Sequence, residues 1–134
     1  MSPENTKKLY EKYPKIFKQH KDSMQTTAMC WGFECGDGWY WLIDNLCDCI
    51  QGYLDSNSKH LKLDQVEATQ VKEKFGTLSF YTNFENETSG GMVWLAENMS
   101  ANICELCGST KDVTQTKGWI KTRCKKCMEE ENGN

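Results

Sequence analysis

The chain has 134 residues, a net charge of −3 and a sparing supply of histidine, with two in all. That length suits one small domain or a domain carrying an appendage, and the near-balanced charge argues against a general nucleic-acid or membrane-surface binder. No apolar run reaches transmembrane length, and Met1-Ser-Pro-Glu-Asn has neither the charged nor the apolar region of a signal peptide, so a soluble cytoplasmic protein is expected.

The first predicted element is a helix over about residues 4–12, with Ser2 as cap and Pro3 at the first helical position. Leu9, Tyr13, Ile16 and Phe17 form its apolar stripe, and Pro14 breaks it by removing a hydrogen bond and crowding the preceding turn. Gln19 to Thr27 reads as a helix end and loop, with His20 on the surface. The glycine-punctuated run Cys30-Trp-Gly-Phe-Glu-Cys-Gly-Asp-Gly-Trp39 follows. Asp37 is then a plausible cap for a core helix over about 38–55, in which Trp39, Leu42, Ile43, Leu46, Ile50, Tyr53 and Leu54 recur at three- and four-residue spacing.

Residues 65–84 switch to alternation and predict two strands joined at Lys74-Phe-Gly-Thr77, either as an antiparallel hairpin or with Gly76 as a bulge. Glu85 to Gly91 reads as loop, and a helix over about 92–102 carries Val93, Leu95, Ala96 and Met99. The closing segment holds Cys104-Glu-Leu-Cys107-Gly108 and Cys124-Lys-Lys-Cys127, with sixteen residues between Cys107 and Cys124. Two such pairs supply four soft ligands for a tetrahedral Zn²⁺, and a closed four-thiolate sphere serves folding and not chemistry. A disulfide or free thiols are the alternatives. Lys111, Lys117, Lys121, Arg123, Lys125 and Lys126 offset the thiolate charge. Residues 128–134 are polar and expected to be disordered.

The expected architecture is α+β: helices packed on a small antiparallel sheet over residues 1–103, then a four-cysteine zinc ribbon over 104–127. Cys30, Cys35, Cys47 and Cys49 are better read as buried or half-buried thiols than as a second metal site. Residues 47 and 49 of one helix point about 200° apart.

Together, Tyr13-Pro-Lys-Ile-Phe17, Gly32-Phe-Glu-Cys-Gly-Asp-Gly-Trp39, Gln70-Val-Lys-Glu-Lys-Phe-Gly-Thr-Leu-Ser-Phe-Tyr81, Ser100 with Cys104-Glu-Leu-Cys107-Gly108, Gly118-Trp119 and the closing cysteine pair resemble a small phage and prophage protein family over most of residues 10–127. The resemblance implies a phage setting and carries no catalytic assignment. Relatives of that kind often place a histidine where this chain has Cys127.

Two regions read as binding surfaces. Trp31, Phe33, Tyr40 and Trp41 exceed what one helix face buries, which suits a protein partner. Lys72, Lys74, Phe75 and Gly76 mix cations, an aromatic and a glycine, which suits a nucleotide, although an ordinary hairpin gives the same pattern. No P-loop, Gly-x-Ser-x-Gly, His-Glu-x-x-His or deaminase His-x-Glu motif occurs. The expectation is a non-enzymatic zinc-containing binding protein acting on a host or defence protein. The alternatives are sequestration of a signalling nucleotide and nucleic-acid binding through the basic ribbon.

Overall fold

Ser2 accepts the Asn5 N–H at 3.2 Å and Pro3 opens helix α1, Pro3–Lys12, in the computed structural model, which describes residues 1–84 and 86–133. The cap is reinforced from a distance. Asp37 Oδ1 accepts both the Ser2 N–H and the Asn5 side-chain amide at 2.9 Å. Asp37 thus supports α1 and not the core helix it was expected to cap. Its own segment, Asp37–Trp39, is a 3-10 turn leading into α2, Tyr40–Asn57, which has no side-chain cap. Leu42, Ile43, Leu46, Cys47, Ile50 and Leu54 form the buried stripe of α2, and Trp39 is fully buried at its start.

Strands β2, Ala68–Lys74, and β3, Thr77–Thr82, pair antiparallel through the two-residue turn Phe75-Gly76. The register slips between Ala68 and Gln70, so the irregularity sits at the open end and not at Gly76. A third strand, β1, Phe33–Glu34, lies on the other edge of β2, with Phe33 opposite Val71 and Glu34 opposite Lys72. This pairing is parallel, so the sheet is mixed where an antiparallel one was expected. The intervening chain, including α2, supplies the long crossover that parallel neighbours need.

Helix α3, Glu87–Ser100, starts five residues before the expected 92. Asn86 and Ser89 cap each other reciprocally, and this box overrides the low helix propensity of Gly90 and Gly91. Glu85, part of the expected loop, lies outside the described residues, as does Asn134 in the expected tail. Helices α2 and α3 pack on each other and α3 packs on β3. The core between them and the sheet holds Phe17, Trp39, Ile43, Ile50, Val71, Leu78 and Phe80. Phe33 is also in this core, ring to ring with Phe17 at 5.0 Å, so it is unavailable to a partner.

Strands β4, Val113–Gln115, and β5, Thr122–Cys124, make a separate two-stranded antiparallel sheet. Helix α4, Lys125–Asn132, follows at once, where composition suggested disorder. The order comes from Arg123, whose Nε donates to Glu131 at 3.0 Å and ties the helix back to β5.

Two glycines test this packing in opposite directions. A Cβ on Gly38 would collide with the backbone carbonyls of Cys104 and Glu105, whereas one on Gly52, in the exposed interior of α2, would meet nothing. Gly38→Ala is expected to lower Tm by about 5 °C or more. Gly52→Ala is expected to raise stability by about 0.5–1 kcal/mol. Thermal melting of both variants checks the pair, and a neutral Gly38→Ala would refute the close approach.

Candidate metal centre

Cys104 follows the end of α3, Cys124 ends β5, and Cys127 lies in the first turn of α4. The first pair is bent into a knuckle: Gly108, at φ +80°, donates its N–H to the Cys104 carbonyl at 2.9 Å, and the Cys104 N–H donates to the Ser109 carbonyl at 2.8 Å. The second pair is bent by the start of α4, where the Cys127 N–H points at Cys124 Sγ from 3.4 Å. The result is convergence. The four Sγ atoms of Cys104, Cys107, Cys124 and Cys127 lie within 4.8 Å of one another, with Cys107 and Cys124 at 3.6 Å. A tetrahedron with metal–sulfur arms of about 2.3 Å has edges of about 3.8 Å, so the donor set fits a single ion.

Electrostatics make a cation necessary for full ionisation. Burial raises the Cys104 thiol, but backbone hydrogen bonds from Cys124, Cys107 and Leu106 outweigh it and bring it down to about 7. Burial and the neighbouring thiols push Cys127 well above its ordinary range. Cys104 thus ionises readily while Cys107 and Cys127 are raised, a resistance that a bound cation would offset.

The remaining cysteines do not assemble. Cys35 is buried and pushed up to about 12 by desolvation, Cys47 is fully buried and also raised, and Cys30 is half-buried with its thiol toward the Thr27 carbonyl, whereas Cys49, expected to be at least half-buried, is exposed. Among the described residues, only the C-terminal four form a ligand cluster.

The two sequence-derived surfaces fare differently. Trp31 and Trp41 are 62% and 61% exposed, Tyr40 is half-buried and Phe33 is in the core. Lys72, Lys74 and Phe75 line one cavity, but Gly76 is buried beneath the ribbon and does not face it. Arg123, read from the sequence as one of the ribbon cations that offset the thiolate charge, is buried between Glu105 and Glu131, at 3.1 and 3.0 Å. Three features escaped the sequence reading. Trp119 stands on the opposite wall of the Lys72–Phe75 cavity. Met92, Leu95 and Met99 form a groove with Trp41. Glu105, between the first two cysteines, joins the metal loop to the rest of the fold. Its position in Cys-Glu-Leu-Cys carried no signal, because its partners are remote in sequence.

Comparison with family models, curated proteins and solved structures found no match to this chain.

The protein is expected to carry one metal ion per chain, and Cys104→Ser is expected to abolish it. Chelation should lower Tm, and acidification should release the ion, because protons compete for the thiolates. Metal analysis with melting curves reads both. Full metal retention and an unchanged Tm in Cys104→Ser would remove the assignment.

Proposed function

We propose that this chain is a non-enzymatic, zinc-stabilised binding protein that receives a basic, amphipathic segment of a protein partner in the groove between α2 and α3. Four thiolates suit zinc and leave no open coordination position for substrate. The groove carries the partner reading. Trp41, Leu42, Leu46, Met92, Leu95 and Met99 line it, with Trp41 and Leu95 more than half exposed. Its volume of about 130 Å³ lies well below the roughly 300–1,000 Å³ of small-molecule sites, which suits an inserted anchor side chain.

Charge gives the partner its chemistry. Helices α2 and α3 contain Asp44, Asp48, Asp55, Glu87 and Glu97 and no lysine or arginine. Asp44 is occupied by Lys12 at 2.7 Å, but Asp48 and Glu87 are exposed. An apolar, methionine-bearing groove on acidic helices accepts a helix with one apolar face and a basic surround. In the phage setting implied by the resemblance, that partner belongs to the bacterial host or its defences.

Immobilised protein is expected to retain a host polypeptide that Trp41→Ala and Leu95→Glu proteins do not retain. A synthetic peptide of its basic amphipathic segment should compete. Truncating a central aromatic anchor typically costs about 2 kcal/mol or more, roughly a thirtyfold loss of affinity. Retention unaffected by both substitutions would exclude the groove.

A further inference from the structure

The turn between β2 and β3 holds a side chain that its backbone disfavours. Phe75 and Gly76 have φ of +52° and +83°, the type I′ geometry that selects Asn-Gly or Asp-Gly. A Cβ in the left-handed region crowds the following carbonyl, and a bulky aromatic there is an outlier. Burial offers no compensation, since the ring is 74% exposed. The turn is nevertheless held firmly: Glu73 Oε1 accepts the Gly76 N–H at 2.7 Å. Strain retained by a mostly exposed ring, with the Lys74 ammonium over its face at 6.0 Å from the centroid, points to a role in binding a flat anionic ligand.

A second aromatic stands opposite. Trp119, at 81%, is the most exposed large apolar side chain among the described residues, yet its loop is pinned. The Thr116 hydroxyl donates to the Trp119 carbonyl and accepts the Lys121 N–H, both at 2.8 Å, and the Thr116 N–H reaches the Lys121 carbonyl at 2.9 Å. The two loops are also fixed to each other. Thr122 donates its hydroxyl to the Gly76 carbonyl, and the Ile120 side chain lies 2.7 Å from where a Cβ on Gly76 would stand. Between them is a cavity of about 410 Å³, lined by Lys72, Lys74, Phe75, Trp119 and Ile120, within the small-molecule range. Among the described residues, neither lysine forms an ion pair. Glu73 also lines the cavity, with its Oε1 engaged by the Gly76 N–H of the turn.

From this juxtaposition we infer that the cleft between the β2–β3 turn and the β4–β5 loop binds a nucleotide unit, its base stacked on Phe75 and Trp119 and its phosphate held by Lys72 and Lys74. Rings alone suit any flat ligand and lysines alone any anion. Both on one cleft select a base joined to phosphate. The site shares no lining residue with the α2–α3 groove, so the partner proposal stands or falls separately.

Free nucleotide and single-stranded nucleic acid offer the same chemistry, and calorimetric titration of the metal-loaded full chain with ATP and with a deoxythymidine decamer separates them. Inorganic triphosphate serves as the anion control. One of the two base-bearing probes should bind, and triphosphate should bind more weakly. Phe75→Asn should weaken binding about five- to a hundredfold while raising Tm by about 2–5 °C, since Asn relieves the turn. Trp119→Ala, at a site where truncation disturbs no packing, should weaken binding to a similar extent at unchanged Tm. Binding of ATP assigns a free nucleotide, and binding of the decamer alone assigns a single strand. Failure of both probes at about millimolar concentration, or full binding by both variants, would overturn the inference.

Discussion

The fold depends on Glu105, which sits between the first two cysteines of the cluster and makes four hydrogen bonds. Its carboxylate accepts the Gly36 N–H at 3.1 Å and a guanidinium proton of Arg123 at 3.1 Å. Its backbone carbonyl accepts the Gly38 N–H at 2.8 Å, and its own N–H reaches the Thr122 carbonyl at 3.2 Å. The N-terminal loop, the metal knuckle and strand β5 are therefore one hydrogen-bonded junction. Gly36 and Gly38 are glycines because any side chain there would enter the Cys104-Glu105 backbone. The ion pair is almost dry, so losing either partner strands a buried charge, a larger penalty than the pair's net worth when intact.

Because the junction fixes the ribbon to the body, the ribbon supplies one wall of a cleft. Thr122 and Ile120 press on the buried Gly76, and this contact sets Trp119 against Phe75. The apolar groove is built differently, from α2 and α3 alone, and contains no ribbon residue. Two surfaces of unlike chemistry thus sit on one small scaffold, and only one of them is built partly by the four-cysteine segment.

Local chemistry was legible in the sequence. The paired Cys-x-x-Cys spacing located the four ligands, the three- and four-residue recurrence located α2 with Trp39 in the core, and alternation around Gly76 located the hairpin. What was hidden depends on partners distant in the chain. Glu105 and Arg123 read as ordinary charges until the fold brings them to Gly36 and to each other. Phe33 looked like part of an exposed aromatic run, but its strand pairs with β2 and turns the ring inward. The acidic tail reads as disordered because nothing local reveals the Arg123–Glu131 tie, and the Gly90-Gly91 pair masked the start of α3 until the Asn86 and Ser89 box was seen.

The parallel pairing of β1 with β2 has a kinetic consequence. It joins segments 38 residues apart at Phe33 and Val71, and the Gly36–Glu105 contact spans 69 residues. Contacts of such separation close late, after the β2–β3 hairpin and the helices have formed. Until then the knuckle lacks its docking surface, and the four thiols of Cys104, Cys107, Cys124 and Cys127 have only one another and any available metal as partners. Newly made chain therefore faces a race between metal capture and oxidation. A supply of metal during synthesis decides whether these sulfurs become a coordination sphere or a cross-link.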